Sequence, residues 1–167
     1  LIYPNQESRA EQRIADSSLI FTLDFNNLLR AKPLTSFLQK SLATFVMIDH
    51  HQQPDTYATI TYSDEKASST CELIYNTIVS LSSQEAIDQT IATCLYTGIM
   101  TDTGGFRFSM TSPQTHRVAA VLLEKGANCA QIASEVLDSY SIDRLQLLGT
   151  VLDGLTYLKE YKTAYMS

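Results

Sequence analysis

The sequence predicts an α/β fold, a mostly parallel sheet flanked by helices and followed by a helical region and a connector helix. Three observations carry this. Ser18–Leu23 and Thr44–Ile48 are nearly continuous apolar runs, the pattern of strands buried on both faces. Helix-forming segments separate the strand candidates, as in a parallel α/β sheet. Both runs end in polar residues, Asp24 and Asp49-His50-His51. In open α/β sheets the carboxyl ends of strands are where ligands gather.

The elements follow in order. Residues 9–16 are good helix formers with small and apolar positions three to four apart. Ser18–Leu23 is the first strand, and a short helix over 34–43 follows Pro33. Thr44–Ile48 is the second strand and Tyr57–Tyr62 the third. A helix over 69–81 is capped by Ser68 or Ser69, with Glu72 placed to complete a capping box on Ser69. A longer apolar helix over 85–101 runs into Thr101-Asp-Thr-Gly-Gly-Phe-Arg-Phe108, a glycine turn and a short extended piece. Helices over 113–125, ended by Gly126, and 129–138 precede a last one over 141–160. Thr163 to Ser167 read as the start of a strand, and Leu1-Ile2-Tyr3 as an apolar opening without Met.

Composition excludes several classes. The 167 residues are 44% hydrophobic and 18% charged, which rules out a disordered or low-complexity chain. A net charge of −6 is not the footprint of a protein that coats duplex DNA. It is compatible with a small phosphorylated ligand held by a metal ion that supplies local positive charge. Cys71, Cys94 and Cys129 lack C-x-x-C spacing, so a zinc ribbon or disulfide framework is not expected. No window approaches the ~18 apolar residues of a membrane span. No basic-then-apolar leader opens the chain, and the expected location is cytoplasmic.

Two of the three histidines stand together in Asp49-His50-His51. Imidazole is a common metal ligand and acid–base group, and an aspartate beside it can orient the ring. A polar turn after a strand accounts for the triplet equally well. Asp102 ends a helix ahead of Gly104 and Gly105, and Asp24 stands beside Asn26 and Asn27. Each alone reads as a turn residue. Together, two carboxylates and an imidazole form an oxygen and nitrogen set suited to Mn²⁺, Mg²⁺ or Zn²⁺. Sites of this kind activate water for phosphoryl chemistry.

Four ordered segments carry a resemblance. They are Ile14-Ala-Asp-Ser-Ser-Leu-Ile-Phe-Thr-Leu-Asp24-Phe-Asn26, Val46-Met-Ile-Asp-His-His51, Lys66-Ala-Ser-Ser-Thr-Cys-Glu-Leu73 and Tyr96-Thr-Gly-Ile-Met-Thr-Asp-Thr-Gly-Gly-Phe-Arg-Phe108. With this spacing the chain resembles the DHH/DHHA1 phosphoesterases, in particular the bacterial bifunctional oligoribonucleases that also dephosphorylate pAp. The resemblance implies a two-metal site, usually Mn²⁺ with Mg²⁺ as the alternative, that hydrolyses phosphate esters of short RNA or a nucleoside bisphosphate. It implies Asp24 as the carboxylate bridging both metals, with His50 and Asp102 as ligands of one of them. It places His51 at the site facing substrate phosphate, with Asp49 as its supporting acid; these two are the expected catalytic residues. Arg107 is the candidate for a bidentate contact to substrate phosphate.

The sequence also departs from that family. Its first motif, His-x-x-Pro-Asp-x-Asp, does not occur upstream of Asp24. The lookalike His51-Gln-Gln-Pro-Asp-Thr-Tyr57 lacks the last acid and reads as a loop. The expected division is a partial DHH domain over residues 1–140, lacking its first strand and motif. A connector helix and the start of a missing DHHA1 domain then occupy 141–167. By residue count one metal keeps Asp24, His50 and Asp102, and the other keeps Asp24 alone, so weak metal binding and little or no turnover are expected. A non-catalytic nucleotide- or metal-binding half-domain is the alternative of another class. Cyclic-dinucleotide phosphodiesterases and inorganic pyrophosphatases share the same core. Oligomeric state is not set by the sequence.

Overall fold

A computed structural model describes residues 6–166. The opening triplet Leu1-Ile2-Tyr3 and the final Ser167 lie outside the described residues. The chain forms two compact units, Leu1–Ala127 and Asn128–Ser167.

The first unit is built on a three-stranded parallel sheet. Helix α1 (Glu7–Asp16) leads into β1 (Leu19–Leu23), and α2 (Thr35–Lys40) separates it from β2 (Thr44–Asp49) and β3 (Ile60–Ser63). The strand order is β1-β2-β3, with Phe21 paired to Val46 and Val46 to Ile60. The pleat sends alternate residues to opposite faces. Phe45 packs on one face with Leu28 and Leu38, while Ile48 packs with Ala67 and Leu73. Central β2 is therefore the buried strand. Edge strand β1 is not the buried strand its apolar run suggested: Leu19, Phe21 and Leu23 are each more than 40% exposed, and Thr22 is its buried residue.

Three helices complete this unit. They are α3 (Thr70–Leu81), α4 (Gln89–Asp102) and α5 (Pro113–Glu124), with α4 in contact with both others. Helix α4 buries Ala92, Leu95, Tyr96, Ile99 and Met100, the three-and-four spacing of a helix that packs along one stripe. Its first turn is capped by the Asp88 carboxylate, so the expected start at 85 is instead a separate 3-10 turn over Gln84–Ala86. Gly98 is needed for close packing, because a Cβ there would run into the Cys71 Sγ of α3.

Two local expectations are corrected. Ser69 caps α3 through the Glu72 N–H at 3.1 Å, but the Glu72 carboxylate does not close the box on Ser69. It turns to Ser68 and Thr115. The reciprocal box forms on α5 instead, between Ser112 and Thr115. Finally, 104–108 is not extended. Thr103 carbonyl oxygen accepts from the Arg107 and Phe108 N–H groups, which curls the segment into turns.

The second unit contains α6 (Cys129–Ala133), continued by a π-helical turn over Ser134–Asp138, and then α7 (Ile142–Asp153). The expected helix over 141–160 stops at Gly154. Beyond it, β4 (Leu155–Leu158) and β5 (Thr163–Met166) form an antiparallel hairpin. Tyr140 stacks under the Arg144 guanidinium at 4.6 Å, and Tyr157 is an exposed hairpin residue. Among the described residues, no helix is long and apolar enough to cross a membrane. The three cysteines are free.

Candidate metal centre

Strand ends and a helix end converge on one cluster. Asp24 follows β1 directly and takes a left-handed backbone, φ 67°. Aspartate tolerates that region better than most residues, and such outliers gather at functional sites. Its own N–H still donates to the Ile48 carbonyl at 3.2 Å, so the turn begins while the chain is tied to β2. The Thr70 hydroxyl, at the first position of α3, donates to Asp24 Oδ1 at 2.8 Å.

His50 follows β2. Its Nδ1 lies 3.3 Å from the Ala67 carbonyl oxygen. A carbonyl oxygen can only accept, so Nδ1 carries a proton, and in the neutral ring Nε2 is the nitrogen with a free lone pair. Nε2 stands 3.7 Å from Asp24 Oδ1 and 3.7 Å from Asp102 Oδ2, where α4 ends. These contacts are too long for hydrogen bonds. They suit donors that share an ion: two atoms each ~2.1 Å from a cation are separated by at most about 4.2 Å.

His51 joins them. One ligand atom each from Asp24, His50 and His51 lie within 4.8 Å of one another. Asp49 is fully buried and holds His51 by two bonds, Oδ1 to Nδ1 at 2.8 Å and Oδ2 to the backbone N–H at 2.9 Å. That leaves His51 Nε2 as its outward-facing nitrogen. The two imidazoles meet edge to face, with centroids 4.9 Å apart.

The electrostatics record the crowding. Burial, and then the neighbouring Asp24 carboxylate, raise the Asp102 carboxyl above its ordinary range, with His50 and His51 pulling the other way. Burial, then Asp102 and Asp24, push the Cys71 thiol up to about 11. A site whose carboxylates repel one another beside two imidazoles favours a cation. The donor set, two carboxylates and imidazole nitrogen, fits a divalent ion of the Mn²⁺, Mg²⁺ or Zn²⁺ kind.

The structure thus brings Asp24, His50 and His51 together, with Asp102 reaching His50 at 3.7 Å, and sets Asp49 behind His51. Arg107 is exposed, and its Nε donates to the Gly104 carbonyl at 2.6 Å, tying it to its own turn. His116 stacks on Phe106 at 5.5 Å. The stretch from His51 to Tyr57 is a loop, fastened where the Asn26 amide donates to the Gln52 carbonyl at 2.6 Å. Two contributors escaped the sequence reading. The Thr70 hydroxyl looked like part of a helix start, and the Ala67 carbonyl carries no side-chain signal at all.

A parallel α/β sheet with carboxylates and imidazoles at its strand ends defines an α/β domain with a candidate metal centre. The chain belongs to the DHH family, whose N-terminal domain matches residues 2–99. Over 110 residues it is 38% identical to a probable bifunctional oligoribonuclease and PAP phosphatase of Streptococcus mutans, covering 66% of this chain and 34% of that protein. It is 32% identical to the bifunctional oligoribonuclease and PAP phosphatase of Thermus thermophilus over 112 residues, 67% of this chain and 34% of that one. The crystal structure of an exopolyphosphatase-related protein from Bacteroides fragilis superposes with a TM-score of 0.94 at 34% identity. That match covers 99% of this chain and 49% of the other. The chain spans about a third of the length of these curated relatives.

Proposed function

We propose that the chain is the metal-binding part of a phosphoesterase that hydrolyses short oligoribonucleotides, the nucleoside bisphosphate pAp, or both, by attack of water on phosphorus. The observation that carries the reading is the convergence of Asp24, His50 and Asp102, with His50 Nε2 3.7 Å from each carboxylate. The similarity to oligoribonuclease and PAP phosphatase relatives supports the substrate class.

Asp24, His50 and Asp102 would hold the ion, Mn²⁺ or alternatively Mg²⁺, and Asp24 would also be a ligand of a second one. When bound, a divalent cation supplies Lewis acidity, offsetting phosphate charge and making water more acidic. The chain's own groups do the rest. The Ala67 carbonyl keeps His50 in the tautomer whose Nε2 can ligate. Asp49 fixes His51 Nδ1–H, so that Nε2 faces substrate and can hold a proton against a phosphate oxygen. The terminal nitrogens of Arg107 are proposed to meet a further phosphate oxygen. We place the DHH portion at residues 1–140 and a connector leading to a second domain at 141–167, in a cytoplasmic protein that does not coat duplex DNA.

The decisive experiment is a Mn²⁺ titration of the purified chain against Asp24→Ala. Removing an outer partner of a ligand typically costs 10–100-fold in affinity, and loss of a ligand is expected to exceed that. Unchanged affinity in the variant would show that the ion, if bound, sits elsewhere. Since these residues supply three ligands to one ion and Asp24 alone to a second, turnover of pAp by this chain alone is expected to be slow. Rapid Mn²⁺-dependent release of phosphate from pAp would contradict the count. Running short RNA and pyrophosphate beside pAp separates the substrate classes.

A further inference from the structure

Glu72 is a buried carboxylate that neither the fold nor the proposed chemistry has so far used. It is 5% exposed, and its Oε2 takes three donors: the Ser68 hydroxyl at 2.5 Å, the Ser68 N–H at 3.3 Å and the Thr115 hydroxyl at 2.9 Å. A carboxylate only accepts, so both hydroxyl protons must point at it. Thr115 in turn accepts from the Ser112 N–H at 3.1 Å, which roots the cluster in α5.

Filling space does not require this group. An apolar side chain of similar volume would fill the site without the desolvation that a buried carboxylate incurs. What the carboxylate adds is geometry, and the geometry it fixes is that of residues 67–70. That segment makes the outer contacts of two of the centre's residues: the Ala67 carbonyl meets His50 Nδ1 at 3.3 Å, and the Thr70 hydroxyl meets Asp24 Oδ1 at 2.8 Å. Ser68, the residue clamped twice by Glu72, lies between them in sequence. Ser68, Ser69 and Thr70 are all under 5% exposed, so water is poorly placed to substitute for the clamp.

We infer that Glu72 is a positioning residue of the metal centre, holding segment 67–70 so that Ala67 fixes the His50 tautomer and Thr70 fixes the Asp24 carboxylate. The inference rests on the reading of Asp24 and His50 as ligands, but one of its consequences does not: even without metal, the His50 Nδ1–H should be held by Ala67.

The test compares Glu72→Gln and Ser68→Ala with Thr115→Ala, each in the full chain. The first two disturb the clamp on 67–70. Thr115→Ala removes the link to α5 and that helix's capping box but leaves both Ser68 bonds to Glu72, and is expected to lower Tm while changing Mn²⁺ affinity less than about twofold. Glu72→Gln and Ser68→Ala are expected to weaken Mn²⁺ binding about tenfold, as loss of an outer partner does. In metal-free samples labelled with ¹⁵N-histidine, both are expected to lose the slowly exchanging His50 Nδ1–H that the unmodified chain and Thr115→Ala retain. Should Glu72→Gln fail to fold, Ser68→Ala carries the comparison. A folded Glu72→Gln or Ser68→Ala with unmodified Mn²⁺ affinity and a protected His50 proton overturns the inference. So does a loss of affinity in Thr115→Ala as large as theirs, which would make the clamp merely structural. If the unmodified chain binds no Mn²⁺, the metal reading fails, and the His50 proton alone decides the role of Glu72: lost in the variants it stands, retained it falls.

Discussion

Asp102 shows how a single residue can work against the fold that carries it. Burial and the Asp24 carboxylate hold its carboxyl above the ordinary range. The folded chain therefore binds that proton more tightly than the unfolded one. Its contribution to stability is full below the unfolded carboxylate pKa and is lost as pH rises through the folded value. At pH 7 the ionised group opposes folding, so Asp102→Asn is expected to raise Tm by a few degrees in EDTA. At pH 4 the gain should be smaller, and Mn²⁺ affinity should fall. Calorimetry at the two pH values checks the sign, and a lower Tm at pH 7 would refute it. Cys71 follows the same logic in the alkaline range. Its thiol, pushed up to about 11 mainly by burial, contributes stability that is present below the ordinary thiol range and lost as pH rises towards that value. Two units of pKa leave about 100-fold less thiolate at pH 8, so alkylation should reach the exposed Cys94 and Cys129 well before Cys71. Peptide mapping after brief iodoacetamide treatment reads that order, and early labelling of Cys71 would contradict it.

Packing between elements sets a different kind of constraint. Helices α3 and α4 approach so closely at Gly98 that an added Cβ would overlap the Cys71 Sγ. Gly98→Ala is therefore expected to destabilise the chain by about 1–3 kcal/mol, as overpacking does, despite the better helix propensity of alanine. Cys71→Ala in the same chain should return part of that loss, because the two sites share one contact. Denaturant titration of the double-mutant cycle measures it; additive losses would mean that the contact is not the cause. The same elements show what was legible from residues alone. β1, β2 and α4 were readable because apolar spacing is a local property; Asp24, His50 and Asp102 could be placed at the ends of such elements, while their proposed roles came from the family resemblance and not from position. A strand was expected from Thr163, where β5 begins, but its partner β4 was hidden by the helical character of Leu145 to Leu152 running into it. Gly154 was the stop signal, but the hairpin turn uses Lys162 at φ 47°, without the Asn-Gly or Asp-Gly that marks most tight hairpins. The bond from Thr70 to Asp24 joins residues 46 apart, and the Ala67 carbonyl is a group every residue possesses. Neither can be read from spacing. Glu72 was visible as a capping residue, but one of its carboxylate's partners, Thr115, lies 43 residues away on another helix.

For the molecule as a whole, the two compact units differ in how they bury apolar surface. The first encloses central β2 and the inner face of α4, where Met47, Ala92 and Ile99 are fully buried. Every residue assigned to the metal centre belongs to it. In the second, Ile142, Leu147, Leu152, Tyr157, Tyr161 and Met166 are all exposed. Local opening costs least where few apolar contacts are broken, so amide protection should divide along the same line. Amides of α7, β4 and β5 are expected to exchange at least about 100-fold faster than those of β2 and α4 in the same sample. Mn²⁺ adds a second prediction, because an ion that binds only the folded centre stabilises what must open to release it. Saturating Mn²⁺ should therefore slow exchange at the end of β2 and the last turn of α4 while leaving α7 unchanged. Hydrogen-exchange mass spectrometry with and without the ion reads both effects in one experiment. Equal protection of α7 and α4 would mean that the apolar side chains of the second unit are covered in solution, and dilution would show whether a second copy covers them. An Mn²⁺ effect confined to α7 would place the ion away from Asp24, His50 and Asp102, whatever its affinity.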